Sequence, residues 1–152
     1  MTASFDPQPI LAGLRGLFAK EAGRKALLQF TADRLQAVGA PYTSVYLYML
    51  HGDQLALEAF AGRETEHTRI AVGHGVCGTA VATGADQNVG DVRSISNYIA
   101  CNTFTRSELV VLIRRGKSIL GQIDVDSDAI DPFTPEEEAA VRSVADGLAV
   151  LL

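Results

Sequence analysis

The residues most able to do chemistry lie between Gly73 and Asp126. Cys77 sits in Gly73-His74-Gly75-Val76-Cys77-Gly78-Thr79-Ala80, and Cys101 follows Tyr98-Ile99-Ala100; the chain has no third cysteine. Glu108 opens the apolar run Leu109-Val110-Val111, while Asp124 and Asp126 alternate with Ile123 and Val125. A charge inside an apolar strand-like run is costly unless it has a partner. The stretch therefore reads as a pocket with a thiol in it. Asp124 and Asp126 are two apart on a predicted strand and share one face; Ile123 and Val125 take the other. Glu108, on the partner strand of the hairpin, could face the aspartates. Three converging carboxylates repel one another, so at least one should have a raised pKa. Such a group can donate a proton at neutral pH, and the cluster can hold an ammonium ion. The bland alternative is a solvated sheet face near a strand end. Calcium is a weaker reading: Asp124-Val125-Asp126-Ser127-Asp128 has alternating oxygens but lacks the glycine and distal glutamate of an EF-hand loop.

Cys77 precedes a short predicted helix, and a helix N-terminus favours a thiolate. Equally, it could be a small buried residue in a helix-start turn. Cys101 is either a filler for its loop or a reactive thiol. Together they form a candidate nucleophile and resolving pair, provided the loop folds back over the helix start. Tyr42 and Tyr46, four apart, share a face at strand spacing; their rings could wall a pocket or simply pack in a hairpin. His51, His67 and His74 show no metal spacing with the cysteines, and the cysteines lack the CxxC spacing of zinc sites. Neither a metal nor a cofactor is expected.

The elements that must position these residues follow from periodicity. Ile10, Leu11, Leu14, Leu17 and Phe18, then Ala26, Leu27, Phe30, Leu35 and Val38, recur at helical spacing on either side of Gly23, predicting two helices or one bent helix over Pro7–Val38. Tyr42–Leu50 and Gln54–Ala61 read as a hairpin turning at His51-Gly52-Asp53. Thr68–Val72 is a short third strand, and Val76–Thr83 a short helix ended by Gly84. Gly90–Thr105 has no clear period and reads as a loop with at most a helical turn. Glu108–Ile113 and Ser118–Asp126 form a second hairpin across Arg115-Gly116-Lys117. Thr134 caps a final helix with Pro135 at its first position and Glu137 three residues beyond the cap. Its apolar stripe is Val141, Val144, Ala145, Leu148 and Leu151. The order predicts an α+β domain: an antiparallel sheet with helices on one face and a pocket on the other, under the long Gly84–Ser107 connection.

At 152 residues the chain fits one domain, residues 1–152, with a helical segment over 1–40 and the sheet, pocket and last helix over 41–152. Hydrophobic residues make up 47%, enough for a core. A net charge of −5 and a pI near 5.1 argue against sequence-independent nucleic-acid binding. No apolar run reaches the roughly 18 residues of a membrane span. The first residues lack a signal-peptide pattern, so a cytoplasmic location, with reduced thiols, is expected.

Taken together, Gly75-Val76-Cys77-Gly78-Thr79-Ala80, Asp91-Val92, Ile99-Ala100-Cys101, Arg106-Ser107-Glu108-Leu109-Val110-Val111 and Ile123-Asp124-Val125-Asp126-Ser127 resemble the free methionine-(R)-sulfoxide reductase family of stand-alone GAF domains. The resemblance runs from about Tyr42 to the C-terminus. It implies a GAF fold and reduction of the R epimer of free methionine sulfoxide. It also implies Cys101 as nucleophile and Cys77 as the cysteine that pairs with it in a disulfide. Glu108, Asp124 and Asp126 would hold the amino group and the sulfoxide region, and Tyr42 and Tyr46 would wall the methyl-sulfinyl end. Thioredoxin is the implied reductant and a homodimer the implied assembly, with the N-terminal helices as its interface. Most GAF domains are small-molecule sensors, so a non-catalytic or diverged binding module is the alternative. The sequence departs from the family at several positions. His67 stands where many members have a third cysteine, Asn97-Tyr98 where they have Gly-His, and Asn102 where an Asp follows the cysteine. Leu112 replaces a common proline, and Tyr42 a tryptophan.

Overall fold

The structure, a computed structural model, describes residues 5–96, 98–99 and 104–152. In chain order it runs α1 (Gln8–Ala19), α2 (Arg24–Gln36), β1 (Ser44–His51), β2 (Gln54–Ala61), β3 (Arg69–Ala71), α3 (Gly75–Thr83), β4 (Gln87–Val89), a 3-10 turn (Val92–Ser94), β5 (Ser107–Arg115), β6 (Ser118–Ser127) and α4 (Pro135–Ala149). The strands form one six-stranded sheet in the order β3-β2-β1-β6-β5-β4, with every neighbouring pair antiparallel.

Period-two alternation divides the sheet into two differently used faces. Val45, Leu47 and Met49 of β1, Leu109, Val111 and Ile113 of β5, and Ile123 and Val125 of β6 point toward α1, α2 and α4. There they meet Leu14, Leu28, Leu35, Val141, Val144 and Leu148 in the larger core. Tyr46, Tyr48, Val110 and Leu112 take the opposite face with Val76, Cys77 and Ala80 of α3. This corrects the expectation of helices on one face only. α3 packs on the far side, and Gly78 lets it come close: a Cβ there would lie 2.5 Å from the Ala71 carbonyl oxygen.

α4 begins as its residues predict. Thr134 Oγ1 accepts from the Glu137 N–H at 3.2 Å, Pro135 follows the cap, and Glu136, Glu137 and Glu138 occupy the first turn, where the helix dipole favours negative charge. β4 was not anticipated. It lies in the long Gly84–Ser107 connection, just before the stretch that reads as loop, and it closes the sheet edge by pairing Gln87, Asn88 and Val89 with Val110, Leu109 and Glu108.

Candidate active site

The β5–β6 ladder brings the carboxylates together. Glu108 pairs directly with Asp126, and Val110 with Asp124. On the other side of β6, Tyr46 of β1 pairs with Asp124 and Ser44 with Asp126. Glu108 is 6% exposed and the two aspartates 4% each, so all three are buried on the α3 side of the sheet. The first turn of α3 lies over them. Cys77 is likewise 4% exposed, and its thiol donates to Glu108 Oε2 at 3.6 Å.

Gln122 precedes Asp124 by two residues and so shares its face. Fully buried, it donates from Nε2 to the Cys77 carbonyl at 3.4 Å, tying α3 to β6. The alternation Gln122, Asp124, Asp126 was there to be read; Gln122 was missed because its partner is a backbone carbonyl 45 residues away. Tyr48 was missed for a similar reason. One period beyond Tyr46, it lines the same cavity and donates its hydroxyl to the His67 carbonyl at 2.7 Å. The Tyr46 hydroxyl donates to the Arg63 carbonyl at 2.7 Å. Two tyrosines of β1 thus hold the β2–β3 connection beside the site. Arg63 in that connection pairs both guanidinium nitrogens with Asp128 at 2.6 Å and stacks on Phe104, with 5.1 Å to the ring centroid.

The cavity at the centre is small, about 20 Å³. Tyr48, His67, His74, Gly75, Cys77, Ile99, Glu108 and Asp124 are among its walls. Gly75 has φ +64°, and a Cβ there would meet Ile99 Cδ1 at 2.9 Å, so this backbone both turns left-handed and closes under the Ile99 side chain.

Electrostatics here run one way. Burial raises the pKa of Glu108. Burial first, then the charges of Glu108 and Asp126, push Asp124 well above its ordinary range. Asp126 is pushed up by burial and by Glu108. The Cys77 thiol is also raised, by burial and then by the negative fields of Asp124, Glu108 and Asp126. The expectation that the helix N-terminus would favour a Cys77 thiolate is therefore overturned. A helix end contributes about 0.3–1 kcal/mol at exposed sites. Burial beside three carboxylates outweighs it.

Tyr42 needs a second correction. β1 starts at Ser44, and Tyr42 sits in the preceding turn, its N–H donating to the Gly39 carbonyl at 2.8 Å. Two-residue alternation does not continue through a turn, so Tyr42 falls on the opposite side of the sheet from Tyr46. It packs edge-on against Phe5 and Phe133 in the helix-side core, and its hydroxyl donates to the buried Glu137 carboxylate. Burial and that carboxylate hold the phenol far above its ordinary pKa. Cys101, the candidate nucleophile, lies outside the described residues.

The arrangement is an acceptor-rich pocket of buried side chains. Asp124 Oδ1 and Asp126 Oδ1 are buried without a hydrogen-bond partner among the described residues. It can supply a proton from a carboxyl group and receive a cationic donor. The GAF domain signature covers residues 24–152. The free methionine-R-sulfoxide reductase of Escherichia coli is 34% identical over 139 residues, 91% of this chain and 79% of that protein. The chain belongs to this family of GAF domains. Two solved structures agree. The type II free methionine-R-sulfoxide reductase of Thermoplasma acidophilum is 38% identical with a TM-score of 0.80, over 84% of this chain and 90% of that one. The Neisseria meningitidis free methionine-R-sulfoxide reductase, solved in complex with its substrate, is 29% identical with a TM-score of 0.86, over 99% of this chain and 95% of that one.

His67 lines the central cavity beside Cys77. Ligand-type atoms of Cys77, Glu108 and Asp124 all lie within 4.8 Å of one another. Among the described residues, no helix is long and apolar enough to cross a membrane.

Proposed function

We propose that this chain reduces free methionine-(R)-sulfoxide to methionine with its two cysteines. The observation that carries the reading is the buried set Glu108, Asp124 and Asp126 around the Cys77 thiol, in a chain of this family. The substrate ammonium is held by ionised carboxylates of the set. Its positive charge offsets their mutual repulsion. A remaining carboxyl proton goes to the sulfoxide oxygen, which makes the sulfur electrophilic. The Cys101 thiolate attacks that sulfur, the S–O bond passes to the cysteine, and methionine leaves with Cys101 as a sulfenic acid. Cys77 then attacks the sulfenic sulfur, releasing water and forming a disulfide. Its thiol must first lose a proton, and Glu108 Oε2, which already accepts that S–H, is placed to take it. Two electrons enter from thioredoxin, which reduces the disulfide. Tyr46, paired with Asp124, is on the side where the methyl-sulfinyl end would rest. The cavity of about 20 Å³ is smaller than an amino acid, so binding requires Ile99 to withdraw from Gly75. A homodimer through the N-terminal helices belongs to the same reading. It is supported by the exposed Phe18 in the last turn of α1 and the exposed Val38 just beyond α2.

The test is single turnover without thioredoxin, using the separate epimers of free methionine sulfoxide. The parent should form about one methionine per subunit from the R epimer only and end with a Cys77–Cys101 disulfide. Cys101→Ser should form none. Cys77→Ser should form about one and leave a dimedone-reactive sulfenic acid. Ligand binding without methionine in all three proteins would make the chain a sensor module and overturn the proposal. Activity with Cys101→Ser and none with Cys77→Ser would exchange the two roles.

A further inference from the structure

We propose that the pocket is also a site for a thiophilic divalent cation of the zinc class, bound by Cys77 Sγ and by carboxylate oxygens of Glu108 and Asp124. These three residues offer one ligand atom each, all within 4.8 Å of one another. The Cys77 Sγ to Glu108 Oε2 distance of 3.6 Å is already that of a tetrahedral edge around zinc, where bonds of about 2.0–2.3 Å place ligands roughly 3.3–3.8 Å apart. Two further observations point to an ion rather than to a mere cluster of acids. Asp124, almost fully buried, lines the cavity and carries an oxygen with no hydrogen-bond partner among the described residues. The cavity itself, about 20 Å³, has room for one water-sized body and not for an amino acid. A thiolate with two carboxylates is a donor set that zinc accepts and that calcium and magnesium, which take oxygen, do not favour. His67 and His74 line the same cavity, but the group of ligand atoms within 4.8 Å of one another holds only Cys77, Glu108 and Asp124, so water completes the coordination.

Binding displaces the Cys77 proton and any carboxyl protons to solvent. The cation cancels repulsion that the empty set must bear. Nothing is oxidised or reduced. The consequence is a masked Cys77 and a pocket closed to an ammonium ligand, which needs the same carboxylates.

The inference shares its pocket with the proposed reductase activity but not its test, which involves no sulfoxide and no turnover. The reduced full chain is titrated with Co²⁺ under inert gas, and thiolate-to-cobalt charge-transfer absorption in the near ultraviolet is recorded. Zn²⁺ affinity is measured by competition with a chromogenic chelator. The parent should bind one equivalent and show the band. Cys77→Ser should lose the band, and it should weaken Zn²⁺ by at least about tenfold, since even outer-shell changes cost 10–100-fold. Asp124→Asn, a near-isostere that removes a charge from the cluster, should keep the band and lose affinity by a similar factor. Cys101→Ser should keep both. An absent band in the parent overturns the site, as does a band that survives Cys77→Ser or vanishes with Cys101→Ser. Undiminished Zn²⁺ affinity in Asp124→Asn does the same.

Discussion

Tyr42→Phe tests where the structure puts a residue that spacing alone assigns to the pocket. The substitution removes one oxygen and keeps the ring, so the edge contacts to Phe5 at 5.5 Å and Phe133 at 5.7 Å between centroids survive. It leaves Glu137, 6% exposed, without the phenol that donates to it. A hydrogen bond to a charged group contributes about 1.5–3 kcal/mol. For a chain of this size each kcal/mol moves Tm by roughly 2–4 °C, so Tm should fall by roughly 3–12 °C. Thermal unfolding without ligand measures this. Turnover and binding with free methionine sulfoxide should remain within about twofold of the parent, because the hydroxyl lies on the far face of the sheet. The double variant Tyr42→Phe, Glu137→Met should recover part of the loss. Replacing both partners of a buried bond by apolar groups is far less costly than orphaning one. An unchanged Tm with substrate binding weakened by about tenfold or more, 1.4 kcal/mol at the site, would return Tyr42 to the pocket and refute the reasoning.

Asp124→Asn should weaken binding of free methionine sulfoxide by roughly 10–100-fold, the worth of a charge-assisted contact, as read by calorimetric titration. Its unliganded Tm at neutral pH should match or exceed the parent's. The pH dependence has a definite sign. The folded-state pKa of Asp124 is raised above the ordinary 3.8, so its contribution is fully present below that value and is lost as pH rises through the folded-state pKa. The Tm advantage of Asp124→Asn over the parent should therefore grow with pH in a series of unfolding scans; a difference that shrinks with pH would contradict the raised carboxyl. Gly78→Ala should lower Tm by an amount corresponding to about 1–3 kcal/mol, because its Cβ would sit 2.5 Å from the backbone oxygen of Ala71, which cannot move aside as a side-chain tip can.

The parts of the fold legible in the sequence are those set by local chemistry. His51-Gly52-Asp53 and Arg115-Gly116-Lys117 turn their hairpins, with Gly52 at φ +64° and Gly116 at φ +61°. The Ile123/Asp124/Val125/Asp126 alternation sorts β6 between a core face and a polar face, as its register with β5 requires. Thr134 and Pro135 start α4. What was not legible depends on tertiary partners. β4 has only three residues and no alternation of its own; it is a strand because β5 offers it a free edge. α3 is apolar nearly all round, so its composition does not say which side of the sheet it covers. Tyr42 looks like the first residue of a strand and is the last residue before the turn ends. The raised Cys77 pKa follows first from burial and then from charges 31 and more residues away, neither of which a helix-start argument contains.

The two faces of the sheet divide stability from chemistry, and the strand period is what makes the division workable. Asp124 and Asp126 are tolerated because Ile123 and Val125, on the same strand, are fixed in the larger core between the sheet and α1, α2 and α4. A register slip of one residue would put two carboxylates into that core and two aliphatics into the pocket. The antiparallel ladders on both sides of β6, from Ser44↔Asp126 through Met49↔Gly121 and from Ser107↔Ser127 through Ile113↔Gly121, resist such a slip. Repulsion among Glu108, Asp124 and Asp126 thus acts against a scaffold that cannot relax by sliding. What remains open to it is to hold protons, or to take a cation. Burial and mutual charge push the Asp124 and Asp126 carboxyls above their ordinary range, and each keeps one buried oxygen without a hydrogen-bond partner among the described residues.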